Sequence, residues 1–279
     1  MAKGEGISGE SILYMVDRFT DDMLKLKCIG QVPQYQHKEH CQNLIKMPVG
    51  FDGLSLVQGI YERVESNWNK ARNHNPSRKN WRFDEPRRKI ADKNTDLEIK
   101  LERAIVNLEI NSPPDYVWVN QVPTSSGLVH PRADGPRHID LVHRRDIRAY
   151  EFIELKVKSN NPLYAAMEIL QYGILYIFSR RNRQIRDADK DKRLLEARTI
   201  DLKVLAPHDY YKGSKLDWLE DGINDGLKRF VKENKCGFLM NFKFESFAPN
   251  FSLSPFPDGD VIKKALEIRR PIYPESKRF

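Results

Sequence analysis

Cysteine is scarce in this chain: three residues, Cys28, Cys41 and Cys236, odd in number and far apart among 279. Such a set gives no disulfide framework and leads us to expect a reducing, cytoplasmic setting. Long apolar runs are missing too. The stretch MAKGEGISGESILYMVDRF has no uninterrupted hydrophobic segment of the kind a secretory signal needs. The longest mostly apolar run, Ile169 to Phe178, is about half the ~20 residues that span a bilayer, so no membrane association is expected. Internal repeats and low-complexity tracts are absent, which removes repeat architectures. Familiar metal-ligand spacings are absent as well. Cys28, His37, His40 and Cys41 are all ligand types, but they form no Cys-x-x-Cys or His-x₃-His unit, and the adjacent His40 and Cys41 suit a tetrahedral site poorly.

What is present is ordinary globular material, 40% hydrophobic and 31% charged, with a formal net charge of +8. A basic balance suits polyanionic partners, nucleic acid first among them. Three zones follow from the patterning. Residues 1–93 read as a helical, basic N-terminal region, a substrate-binding arm by expectation. It has apolar residues at helical spacing over Ser11 to Leu26 and again over Leu54 to Ala71, with a loop rich in Gln, His and Pro between them. Residues 94–248 form the regular core. Residues 249–279 are a Pro-rich tail with a short helix near Val261 to Arg269.

In the core, Thr95 followed by Glu98 predicts a capping box at a helix start, with Leu97, Leu101, Ile105 and Leu108 as its apolar stripe. Strands are predicted at Tyr116 to Val122, His138 to His143 and Arg148 to Lys158, then an unusually apolar helix from Asn161–Pro162 to about Ser179. A strand at Thr199 to Leu205, a helix at Leu216 to Asn234 and a strand at Gly237 to Phe247 complete the zone. This order predicts an α/β fold with a mixed sheet flanked by helices.

Asp140 sits mid-strand in HIDLV, although Asp is disfavoured in strands. On the next strand, in EFIELKVK, Glu154 and Lys156 are two residues apart and share a face. If the strands pair, two carboxylates converge at the sheet surface, and a hard divalent cation relieves their repulsion. Mg²⁺ suits such a site, because it takes few protein ligands and completes its shell with water and phosphate oxygens. Lys156 is then placed to orient or deprotonate a water and to stabilise the transition state. Asp134, in a Gly-Pro context six residues earlier, is the lesser candidate for the aspartate. His138 and His143 flank the Asp140 strand and read as strand-end side chains in solvent.

These parts in this order resemble the PD-(D/E)XK nuclease superfamily over about Thr95 to Gly213, although Ile139 stands where the family label has Pro. The resemblance implies a restriction-endonuclease-like sandwich and a Mg²⁺-dependent nuclease, with Mn²⁺ substituting. The metal would be held by Asp140, Glu154 and the backbone carbonyl of Leu155. It also implies an accessory carboxylate on the preceding helix, Glu102 or else Glu98. Gln171 and Tyr172 in EILQYGILY are similar to the pair that braces the site in several branches. The implied substrate is DNA before RNA, and the implied assembly includes a homodimer.

Two basic clusters complete the picture. Arg72, Arg78, Lys79, Arg82, Arg87, Arg88 and Lys89 are interleaved with Trp81 and Phe83, and Arg180, Arg181, Arg183 and Arg186 follow the apolar helix. Cations among aromatics hold phosphates and stack bases, which makes these the expected nucleic-acid contacts. The competing expectation is a non-catalytic nucleic-acid-binding or scaffold protein on the same fold.

Overall fold

Two periodicities separate the strands of this chain from the helices that cover them. The computed structural model describes residues 11–27, 32–71, 73–84, 86–91, 93–108, 117–129, 134, 137–188 and 193–274. Among these, six strands form one mixed, open sheet whose spatial order follows chain order. They are β1 (Trp118–Pro123), β2 (His138–Asp146), β3 (Ala149–Leu155), β4 (Thr199–Ala206), β5 (Leu239–Ser246) and the two-residue β6 (Arg270–Pro271). The β1–β2 and β2–β3 pairs are antiparallel, β3–β4 and β4–β5 are parallel, and β6 closes antiparallel on β5. The helices among the described residues are α1 (Val16–Met23), α2 (Lys38–Asn43), α3 (Gly53–Lys70), α4 (Leu97–Asn107), α5 (Pro162–Arg181), α6 (Arg183–Asp187), α7 (Asp217–Glu233) and α8 (Gly259–Glu267). None of them is long and apolar enough to cross a membrane. The expected α/β class with a mixed sheet is the one adopted.

Strand alternation sets the layers. On β3, Tyr150 and Phe152 join one apolar cluster, while Ile153 and Leu155 join a second. The larger cluster takes in α1, α3, α5 and α7; the smaller takes in α4 and α8. The crossovers through α5 and α7 step the same way across the sheet, and connections of one hand put both helices on one face. Helix α5 is buried nearly all round, as its apolar sequence requires.

The region expected as an arm is packed into this same core. Ile12, Val16, Leu56, Ile60 and Val64 are fully buried in the larger cluster, and α3 lies against α5 and α7. Helix α1 starts later than expected, at Val16, because Met15 takes a left-handed conformation (φ 62°). Helix α2 forms inside the stretch expected to be loop. The capping box of Thr95 and Glu98 is replaced: Asp96 is the N-cap, its Oδ1 accepting from the Glu98 and Ile99 N–H groups at 2.8 and 3.4 Å. That frees the Glu98 carboxylate for other work. At the far side of the sheet, side chains of α7 satisfy the outer edge of β5. Phe242 exchanges hydrogen bonds with the Asn224 amide (2.8 Å each way), and the Phe244 N–H donates to Glu220 Oε2 (2.8 Å).

Helices α3 and α7 cross almost backbone to backbone. A Cβ added at Gly53 would lie 1.8 Å from Gly222 O, and one at Gly226 would lie 2.2 Å from Gly53 O. Gly226→Ala should therefore lower unfolding free energy by about 1–3 kcal/mol through overpacking. Gly259→Ala, whose added Cβ meets only Leu108 Cδ2 at 3.5 Å, should be neutral or slightly stabilising. Urea midpoints compare the two; equal effects would show that the glycines do not set this crossing.

Candidate active site

Strands β2 and β3 pair as far as Leu141 opposite Ile153, and there they part. Asp140 and Glu154 are the next opposed positions. The Leu155 N–H, left without a backbone partner on β2, donates to Asp140 Oδ2 at 3.0 Å. An aspartate in mid-strand thus has a local reason: it stands in for the ladder where the ladder ends.

Beside the parting lies a buried ammonium. Lys156 Nζ is 2.5 Å from Glu154 Oε1, 3.4 Å from Glu168 Oε2 on α5 and 3.9 Å from Glu98 Oε1 in the first turn of α4. Lys156 and Glu154 are only 5% and 2% exposed. Burial disfavours the charged lysine, but Glu154, Glu168, Asp140 and Glu98 outweigh it and hold Lys156 well above the usual lysine range. It is therefore a fixed cation and hydrogen-bond donor, which narrows the role anticipated for it to orientation and charge stabilisation. Burial, reinforced by Asp140 and Glu168, pushes Glu154 far above the usual carboxylate range. Burial, with Glu102 and Glu168 behind it, pushes Asp140 up to about 7 despite Lys156. Glu154 Oε2 and Glu168 Oε2 are both buried without a hydrogen-bond partner. The site holds more negative charge than its one ammonium balances.

The two accessory candidates divide the flanks. Glu102 attends Asp140: it accepts from Asn120 Nδ2 and Gln121 Nε2 at 2.7 Å each and pairs with Arg103, while burial raises its pKa. Glu98 attends Lys156 and holds the turn after β3, accepting from the Val157 N–H (3.0 Å) and Ser159 Oγ (2.8 Å).

Gln171 is turned away from these groups. Its amide donates to Asp17 Oδ1 (2.9 Å) and Tyr35 OH (3.3 Å), tying α5 to α1. Its neighbour Tyr172 faces the site instead, its hydroxyl raised by burial and then by Glu168, Glu154 and Asp140, with Arg137 opposing. Glu168 and Arg137 escaped the sequence reading. Glu168 is the sole charged residue from Pro162 to Ser179, and a lone carboxylate in an apolar helix needs a partner; that was the signal available. Arg137 ends the loop before β2, and its Nε is buried with no hydrogen-bond partner.

The expected nucleic-acid contacts scatter. Arg87 lies near Glu102, lowering its pKa, and its backbone is fastened to the Asn120 side chain. Arg88 donates to Val106 O at the end of α4 (2.5 Å), and Arg82 pairs with Asp84 (3.1 Å). Arg78 and Lys79 are exposed; Arg72 lies outside the described residues. Arg180 and Arg181 sit at the far end of α5, and the twelve residues from Glu168 to Arg180 span roughly 18 Å at about 1.5 Å each. They cannot share a phosphate with Lys156. Arg180 instead covers the Phe238 ring and Arg181 donates to Asn234 Oδ1.

The interleaved aromatics are unavailable for base stacking. Trp81 is fully buried against Phe152 and Tyr176, because its backbone N–H donates to Pro123 O (2.8 Å) and fixes the segment to the end of β1. Phe83 packs on Tyr150. His143, expected in solvent, stacks on Trp118 and lies 2.7 Å from Glu151. Asp134 is structural, accepting from the Ile12 N–H (2.6 Å) and the Val129 N–H. Cys28 lies outside the described residues, and burial pushes the Cys41 thiol up to about 11. Among the described residues no group of three or more His, Cys, Asp or Glu is arranged to hold a metal ion.

No protein-family model, curated protein or solved structure matches the chain.

Removing the ammonium should expose the excess charge. Lys156→Met is expected to cost about 3–5 kcal/mol at pH 8, since it leaves buried carboxylates unpaired. Asp140 and Glu154 have folded pKa values above their unfolded ones, so the folded state binds the extra protons and stability falls as pH rises from about 4 through 7. The loss should accordingly shrink toward pH 5, and adding Asp140→Asn should restore part of it at pH 8. A urea-denaturation series reads both; a loss independent of pH would contradict this account.

Proposed function

We propose that this chain is a metal-dependent nuclease of the restriction-endonuclease-like PD-(D/E)XK type, hydrolysing phosphodiester bonds in nucleic acid, DNA first. The observation that carries this reading is the meeting of Asp140 and Glu154 where β2 and β3 part, beside the buried Lys156. The order α4, β1, β2, β3, α5, β4 supports it, with Asp on the second strand and Glu-x-Lys at the end of the third.

The donor set fits a hard divalent cation. Glu154 Oε2 is buried and unpartnered, burial pushes Asp140 up to about 7, and two carboxylates with one carbonyl are enough for Mg²⁺, which keeps several waters. Asp140, Glu154 and the Leu155 carbonyl would hold it, with Mn²⁺ substituting. When bound, such an ion supplies Lewis acidity and a water of lowered pKa.

The chain's own residues do the rest. Glu154 and Glu168 fix the Lys156 ammonium, which donates to the attacking water or to a phosphate oxygen as charge develops. Arg87, exposed and near Glu102, would meet the phosphates of the strand. Glu102 braces the Asp140 side through Asn120 and Gln121. Gln171 acts on the scaffold and not on the reacting groups. The second reading, a non-catalytic nucleic-acid-binding protein on this fold, is favoured by one observation. Lys156 already closes on Glu154 at 2.5 Å, so the ammonium serves as the site's cation.

Incubation with supercoiled, linear and single-stranded DNA and with RNA, each with Mg²⁺, Mn²⁺ or EDTA, separates the two. Metal-dependent cleavage is expected, reduced at least ~100-fold by Asp140→Asn or Glu154→Gln, losses typical of removing a transition-state contact. Salt-sensitive binding should survive both substitutions. Binding without cleavage under either metal would establish the non-catalytic reading.

A further inference from the structure

A cavity of about 420 Å³ opens at the carboxyl ends of β3 and β4, the place where open α/β sheets take their ligands. It belongs to none of the groups assigned so far, yet it shares a wall with them. Leu97 and Val157 line it, and they are the chain neighbours of Glu98 and Lys156. The Val157 N–H to Glu98 bond (3.0 Å) and the Lys156–Glu98 pair (3.9 Å) form the partition. Tyr210 also lines it, and its buried hydroxyl has no hydrogen-bond partner. The charges of Lys156, Glu98 and Glu154 all reach that hydroxyl. A buried donor left unmade costs about 1–3 kcal/mol, so it marks a place where a ligand's polar atom is welcome.

The chemistry of the walls selects the occupant. Leu97, Val157, Pro207, Phe251 and Leu253 give an apolar slot with an aromatic ring, and the volume is at the small end of the roughly 300–1,000 Å³ of ligand cavities. Around it stand Lys38, Lys158 and Lys212, all exposed and none paired with a carboxylate among the described residues. Asp209 is the one carboxylate on this rim among the described residues, so the three lysines leave it net positive, and an apolar slot with such a rim fits one nucleobase with its phosphates. A base held in a duplex pair cannot enter; it must first be splayed out of the stack.

We propose that this cavity holds one unpaired nucleotide of the substrate strand. The base lies between Leu97, Val157 and Phe251 with a polar edge on Tyr210, and Lys158 and Lys212 take the flanking phosphates. The proposal rests on the nuclease reading for the identity of the strand. It makes the protein selective for single strands, overhangs and flaps over blunt duplex.

The test uses the full chain in EDTA, so that binding is read without cleavage. Anisotropy of a fluorescein-labelled 12-nucleotide single strand is compared with that of a labelled blunt hairpin duplex, with dTMP as competitor. At least tenfold tighter binding of the single strand is expected. Ser252→Trp should cut that binding fivefold or more and leave duplex binding unchanged, and Lys158→Glu with Lys212→Glu should cut it fivefold or more and by a larger factor than they cut duplex binding; urea midpoints verify their folds. Equal affinity for the two probes, or insensitivity to all three substitutions, overturns the proposal. Displacement of the strand by dTMP at equal concentration overturns it too, in favour of a free nucleotide. Metal-dependent cleavage by a protein with no strand preference removes the cavity's role alone. A preference lost in the variants, in a protein that cleaves with neither metal, supports the cavity and removes the nuclease reading.

Discussion

One buried ammonium ties this structure together. Lys156, one residue past the end of β3, reaches Glu154 on that strand, Glu168 on α5 and Glu98 on α4, and those two helices cover opposite faces of the sheet. The strand end, both layers and the turn after β3 therefore meet at a single charge. Buried carboxylates without it would repel one another or take up protons. The parting of β2 from β3 depends on the same balance, since it sets Asp140 beside these groups and gives it the Leu155 N–H.

A second buried network shows the opposite balance. Glu151 on β3 has His143, Lys203 and Arg269 within 2.8 Å and Arg145 at 3.8 Å. Burial works against its charge, but His143, Arg269 and Lys203 prevail and hold it far below the usual carboxylate range. Glu245 joins through Lys203 (2.5 Å) and Arg269 (3.1 Å), so β3, β4, β5 and the segment after α8 are clasped together. Here the cations surround Glu151 and favour its charged form, as a structural clasp requires. Around Asp140 the excess runs the other way: burial and neighbouring carboxylates raise Asp140 and Glu154 instead of lowering them.

Much of this was legible in the sequence, and for identifiable reasons. Alternation along β3 placed Glu154 and Lys156 on one face, and Asp140 stood out because strands disfavour Asp. What could not be read depended on rotation about an axis or on packing at a distance. Each residue turns a helix by about 100°, so whether Gln171 or the Glu168–Tyr172 edge of α5 met the carboxylates was decided by how α5 settled between sheet and α3. A tryptophan among arginines looks the same whether it stacks bases or fills a core; the Trp81 backbone N–H on Pro123 O decided that. Thr95 and Asp96 are both good caps, and only the released Glu98, drawn toward Lys156 and Val157, shows why Asp96 prevailed.

The seal on β5 has a consequence for how copies of this chain meet. Asn224 and Glu220 already occupy the outward N–H groups of Phe242 and Phe244. An incoming strand would have to evict them and replace each bond one for one, gaining nothing in hydrogen bonding. Growth of the sheet from molecule to molecule is thus closed on that side.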